Sequence, residues 1–284
     1  MPGRSNSVAP VVVGVHRSAS NVHAVRLAAL EAAAHRRPLC LLHAFNWIPA
    51  DLDTECHWSR QEAEDLLAEA ERRARTIAPD VQIRAEIVEG VAVGALRHAS
   101  RAAALVVVGD GDLGRYVSLP VEAISVEIAS QAECSVIVVR DFEEGTGPVV
   151  VGVDGTARGE QALGWAFEAA AHRGAELHVV AVDEPGKDET ESDRRRDPGI
   201  QAETLVGQWR QKYPGVATRI RQLRGDPGAL LVEAARDAAL LVVGARGERP
   251  SAGLLGPVCL TVLHHAPAPV AIVRGRPAAN GSNG

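Results

Sequence analysis

Near the end of the chain, the stretch VVGARGERPSAGLLGP (242–257) runs from β-branched apolar residues straight into glycines and arginines. A glycine-rich turn between a buried strand and a helix start can hold phosphate. Glycines let the backbone approach the oxygens, and the first helical turn offers free N–H groups and the positive end of a dipole. Here Val243 ends the apolar run, Gly244, Gly247 and Gly256 supply the glycines, and Arg246 and Arg249 supply positive charge. Val258 keeps an amide just past the last glycine. Pro257 stands where a donor would serve better, since it has neither a hydroxyl nor a backbone N–H. A second candidate group closes another apolar run, PVVVGVDGT, where Val153 leads into Asp154 and Thr156.

These two groups can act together only if the strands carrying them are neighbours, and an internal repeat bears on that. PVVVGVHRSASNVHAVRLAALEAAAHR from Pro10 returns as PVVVGVDGTARGEQALGWAFEAAAHR from Pro148. LVVVG ending at Gly109 returns as LLVVG ending at Gly244, and VIVVR ending at Arg140 as VAIVR ending at Arg274. One module of about half the chain is duplicated, giving expected domains at 9–141 and 147–275. The acidic, glycine-bearing DFEEGTG (141–147) is the linker, and the small polar tail 276–284 is expected to be disordered.

Within each module, short β-branched runs alternate with alanine-rich helical patterns. The second copy predicts strands at 149–153, 177–182, 218–223, 240–244 and 269–273. Continuous apolar runs suit strands buried on both faces, as in a parallel sheet. Asp226 reads as an N-cap with Pro227 at the first helical position, and Gly174 as a helix stop. The pattern is α/β: two tandem doubly wound domains, each a parallel sheet with helices on both faces. Two segments, 46–60 and 183–200, fit no element. They read as solvated linkers, with crevice covers as the alternative.

Composition narrows the function. Apolar residues make up 46% and aromatics only 3%, so Ala, Val and Leu must build the cores. No apolar run approaches the ~18 residues of a membrane span, and MPGRSNSVAP lacks the apolar region of a secretory leader. The scattered cysteines Cys40, Cys56, Cys134 and Cys259 show no metal-ligand spacing. A cytoplasmic protein is expected, without a membrane partner. A net charge of −6 disfavours nucleic acid. Cys56 and His57 beside Asp51 and Asp53 lack ligand spacing, so no metal is expected. Without GxSxG or paired carboxylates the chain reads as a non-enzyme.

VVVGVDGT at the start of the second module, GDPGALLVEAA in its middle and LLVVGARG…LLG…HHAPAPVAIVRG at its end resemble the universal stress protein family in its tandem form. The resemblance covers nearly the whole chain and is strongest in the second module. It implies a five-stranded parallel sheet in the order 3-2-1-4-5 and pairing of the two modules within one chain, and it leaves a homodimer open. It also implies a role in stress response. Strands 1 and 4 are then neighbours whose connections leave in opposite directions, which opens a crevice at their carboxyl ends. Asp154, Thr156 and the residues from Gly244 onward belong there.

The family includes members that bind ATP and members that do not. In the former, the loop reads Gly, two residues, Gly, nine residues, Gly, then Ser or Thr. The second module keeps Gly244 and Gly247, has eight residues before Gly256, and puts Pro257 at the hydroxyl position. Asp154 matches the family's strand-1 aspartate, which contacts the nucleoside. Two readings stand: weak ATP binding by this module, or a nucleotide-free interaction protein in which Gly256-Pro257 merely starts a helix. The first module departs further. His16 replaces the aspartate, Asp112 the second glycine, and Glu122 and Ala123 the Gly-Ser pair, while Asp110 adds another carboxylate. It is expected to bind no ATP.

Overall fold

The structure, a computed structural model, describes residues 8–45, 60–110, 122–140, 146–183, 198–245 and 255–275. The chain divides into two compact units near residue 142.

The first unit runs β1 (Val11–Gly14), α1 (Ala19–Ala34), β2 (Leu39–Phe45), α2 (Arg60–Ile77), β3 (Ile83–Glu89), α3 (Ala92–Ser100), β4 (Leu105–Gly109), α4 (Glu122–Gln131) and β5 (Ser135–Val139). Its strand order is β3-β2-β1-β4-β5. β1 pairs in parallel with both β2 and β4, and β2 with β3. The second unit runs β6 (Val149–Val153), α5 (Ala157–Arg173), β7 (Leu177–Asp183), α6 (Pro198–Lys212), β8 (Thr218–Arg224), α7 (Pro227–Ala234), β9 (Leu240–Gly244), α8 (Pro257–His265) and β10 (Val270–Val273). The same order recurs as β8-β7-β6-β9-β10, with parallel pairing throughout. In each unit the helices pair off, α1 with α2 and α3 with α4, α5 with α6 and α7 with α8, which covers both faces of the sheet.

Burial follows the apolar pattern. Val11–Val13, Val106 and Val107, Val149–Val151 and Leu240–Val242 are all buried, as strands covered on two sides require. β8 instead alternates, with Arg219 and Arg221 exposed, because it lies at the edge of its unit. The expected strands of the second copy are all present, shifted by at most one residue at an end. In both units a strand glycine admits a helix. A Cβ on Gly14 would lie 3.2 Å from Leu96 Cδ1, and one on Gly152 would lie 2.8 Å from Leu231 Cδ1. The bare backbone leaves room for Leu96 of α3 and Leu231 of α7 over the central strands.

The helix punctuation is as read. Asp226 Oδ1 accepts from Ala229 N at 2.7 Å with Pro227 at the helix start, and Gly174 ends α5 in the left-handed region at φ 60°. An alanine at 226 leaves the Ala229 N–H uncapped. We expect Asp226→Ala to cost about 1 kcal/mol, read as a lower urea midpoint at unchanged slope. Among the described residues, no helix is long and apolar enough to cross a membrane. The segments 46–59 and 184–197, the Cys56-His57 group and the tail 276–284 lie outside the described residues.

Candidate functional site at the strand ends of the second unit

Parallel pairing of Val149, Val150 and Val151 with Leu240, Leu241 and Val242 brings the carboxyl ends of β6 and β9 side by side. Val153 and Val243, both buried, form the last layer of core beneath that end. Asp154 lies just past Val153 and is exposed. Gly155 turns the chain at φ 73°, a conformation that favours glycine, so that Thr156 can cap α5.

The cap is a relay. Thr156 Oγ1 accepts from Gly159 N at 3.1 Å and donates to Asp154 Oδ1 at 2.6 Å, while Thr156 N also donates to Oδ1 at 3.1 Å. Two donors therefore orient the carboxylate at the mouth of the crevice. Gly159 completes the fit, since a Cβ there would lie 2.6 Å from Asp154 Oδ1.

On the other side of the crevice, β9 ends at Gly244, and Ala245 N donates to Val273 O at 2.9 Å. The chain returns at Gly256, the N-cap of α8, whose lack of a side chain leaves the cap without a side-chain hydrogen bond. Pro257 takes the first helical position and is exposed. Its missing N–H is one the helix could not have used internally. Val258 stands next to it at the helix start. Cys259, in the first turn of α8, was counted in the sequence only among the scattered cysteines. Its thiol donates to Gly244 O at 3.0 Å and ties the helix start to the strand end. Burial pushes that thiol up to about 11.

Val153, Asp154, Thr156, Val243, Gly244, Gly256 and Val258 thus gather at one end of the sheet. Arg246, Gly247 and Arg249 lie outside the described residues. His264 and His265 form the last turn of α8, at the end away from the crevice, with ring centroids 6.2 Å apart.

The equivalent end of the first unit has a different chemistry. His16 follows β1 and is half-buried, and its Nδ1 is buried without a hydrogen-bond partner among the described residues. Burial, with a contribution from His43, pushes it down to about 4, so the ring is neutral at physiological pH. His43 Nδ1 bonds Val15 O at 2.8 Å. Asp110 faces Arg140 at 3.9 Å, which offsets part of its charge. Asp112 lies outside the described residues, and Glu122 opens α4.

The sequence pattern of the universal stress protein family matches residues 8–140 and again 146–274. Universal stress protein Rv2623 of Mycobacterium tuberculosis is 32% identical, over 95% of this chain and 97% of its own length. A universal stress protein of Mycolicibacterium smegmatis is 31% identical over 94% and 97%. Among solved structures, a universal stress protein from Archaeoglobus fulgidus superposes with a TM-score of 0.67 at 16% identity, over 93% of this chain and 96% of that one. With two family matches in tandem and relatives of this identity along nearly its whole length, the chain belongs to the universal stress protein family.

Proposed function

We propose that the second unit binds an adenine nucleotide weakly, ATP in the first instance, and that the chain serves stress response as a nucleotide-responsive regulator rather than an enzyme. One observation carries the reading: the pairing of β6 with β9 sets an oriented Asp154 across a crevice from Gly244 and the start of α8. A carboxylate held by two donors suits the hydroxyls of a ribose. The α8 start offers the Val258 amide and a positive dipole end to phosphate. With Oδ1 accepting from Thr156 twice, Asp154 is better suited to positioning a ligand than to abstracting a proton. Scattered cysteines and an acidic net charge support a cytoplasmic setting without nucleic acid.

Calorimetric titration with ATP tests this. Measurable binding, with thermal stabilisation approaching ~2.7 kcal/mol at one hundred times the dissociation constant, supports it. Complete indifference to ATP, ADP and AMP favours the nucleotide-free interaction protein. That second reading draws on Pro257 itself, which denies phosphate a hydroxyl and an amide at the helix start.

Pro257→Ser restores both donors at an exposed position. Hydrogen bonds to charged groups are worth about 1.5–3 kcal/mol, so ATP should bind roughly 10- to 100-fold more tightly. An unchanged affinity would show that the helix start does not meet the phosphates. Inserting one residue after Gly253, in the Pro257→Ser background, would then test whether loop length is the cause.

A further inference from the structure

Arg274 directly follows β10, at the crevice end of the second unit. β10 pairs with β9 so that Val273 lies opposite Gly244, and β9 pairs with β6 so that Leu241 lies opposite Val150. Continued past the strand ends, that register sets Asp154, Ala245 and Arg274 on one level across three neighbouring strands. Asp154 and Arg274 are then two inter-strand spacings apart, about 10 Å.

Strand alternation puts these three side chains on one face. Gly152 of β6 belongs to that face, and a Cβ on it would meet Leu231 of α7. Gly275 belongs to the opposite face, where its Cβ would meet Gln161 of α5. Arg274 therefore projects toward the side of α7 and its neighbour α8, and it is half-buried. Cys259, in the first turn of α8, feels the charges of both Arg274 and Asp154, in agreement with that placement. The first unit shows how such an arginine is matched. Arg140 follows β5 as Arg274 follows β10, and it faces Asp110, the residue after Gly109, at 3.9 Å. In the second unit the residue after Gly244 is Ala245, which brings no carboxylate to that level. A guanidinium beside the positive end of α8 adds charge of the same sign, and an anion between them relieves it.

We propose, resting on the nucleotide reading of this crevice, that Arg274 holds the outer phosphates of a nucleotide whose ribose meets Asp154, and that the spacing of the two selects nucleoside di- and triphosphates over monophosphates. A single phosphate on a ribose bonded to Asp154 stops short of Arg274, whereas a longer phosphate chain reaches it. The planar guanidinium suits the task, because two of its N–H groups can meet two oxygens of one phosphate. It also brings donors to a crevice where Pro257 brings none.

Calorimetric titration of the full chain with adenosine, AMP, ADP and ATP tests this, in the unsubstituted protein and in Arg274→Gln and Arg274→Lys. ADP and ATP should bind the unsubstituted chain about tenfold or more tightly than AMP, the worth of a hydrogen bond to a charged group. Arg274→Gln should remove that advantage and leave adenosine and AMP unchanged, and Arg274→Lys should restore part of it. Ala245→Asp gives the second unit the carboxylate that the first unit has. It should likewise weaken ADP and ATP while sparing adenosine, which keeps the test open if Arg274→Gln fails to fold. If none of the four ligands binds, the nucleotide reading falls and the role of Arg274 falls with it. If ATP binds but AMP binds equally well, or if Arg274→Gln and Ala245→Asp bind ATP as tightly as the unsubstituted chain, the nucleotide reading stands and the role of Arg274 is overturned.

Discussion

Lowering the pH from 7 to 4 should strip about 3 kcal/mol from the stability of the first unit through His16 alone. The folded protein holds this imidazole at about 4, against an ordinary value of 6.5. Burial is the main cause, and the neighbouring His43 adds to it. Between those two pH values the unfolded chain takes up a proton that the folded chain refuses. Stability is therefore complete above pH 6.5, falls as the pH drops toward 4, and levels off below that. Urea unfolding followed by circular dichroism at pH 7 and at pH 4.5 measures the loss. His16→Phe has nothing to protonate at this position, so the difference between the two proteins isolates the His16 contribution from the other histidines and the carboxylates. Equal losses in both would mean that water reaches the ring and the low value is wrong.

Phe167→Ala should cost about 3–5 kcal/mol, the range for emptying a large buried aromatic site. Phe167 is fully buried in α5, with Trp209 of α6 and Tyr213 just past its end stacked at centroid distances of 6.2 and 6.0 Å. Aromatics are only 3% of the chain, so this cluster concentrates a resource that the rest of the core lacks. The neighbours cannot easily close the gap. Trp209 already presses on α5, where a Cβ on Gly164 would lie 2.4 Å from its ring. Because α5 begins at the Thr156 cap, loosening it should also weaken any ligand held by Asp154. Urea unfolding read by tryptophan fluorescence gives the number. A loss below 1 kcal/mol would mean that α5 and α6 slide together to refill the space.

Fold and site differed in how far they could be read from the residues. Strand positions, the Asp226 cap and the Gly174 stop depend on neighbours within a few residues, and each appears where the sequence places it. The meeting of Asp154 with Gly244 was legible through the repeat and the family likeness, since strand order is a property of the whole module. What escaped was contact made by residues of bland type. Cys259 looks like one more small apolar residue in a helix, and only the return of α8 onto β9 gives its thiol a carbonyl. Thr156 was read as a member of the candidate site, and its bond to Asp154 depends on the turn at Gly155. His16 was read as a missing aspartate. Its neutral, buried state arises from the fold packed around it, with His43 reaching it from the next strand.

The burial of the Cys259 thiol, where α8 returns to the end of β9, has a consequence for chemical reactivity. Thiolate is the species that electrophiles and peroxides attack. With the thiol at about 11 instead of 9, about a hundredfold less thiolate is present at neutral pH. Folded Cys259 should therefore be nearly silent toward iodoacetamide. Any alkylation it does undergo must follow the lifting of α8 from the end of β9, which makes the rate of labelling a clock for that motion. A ligand that seats its phosphates on the start of α8 would slow the clock, and mass spectrometry of the Cys259 peptide can follow it in a chain where nothing else has been altered.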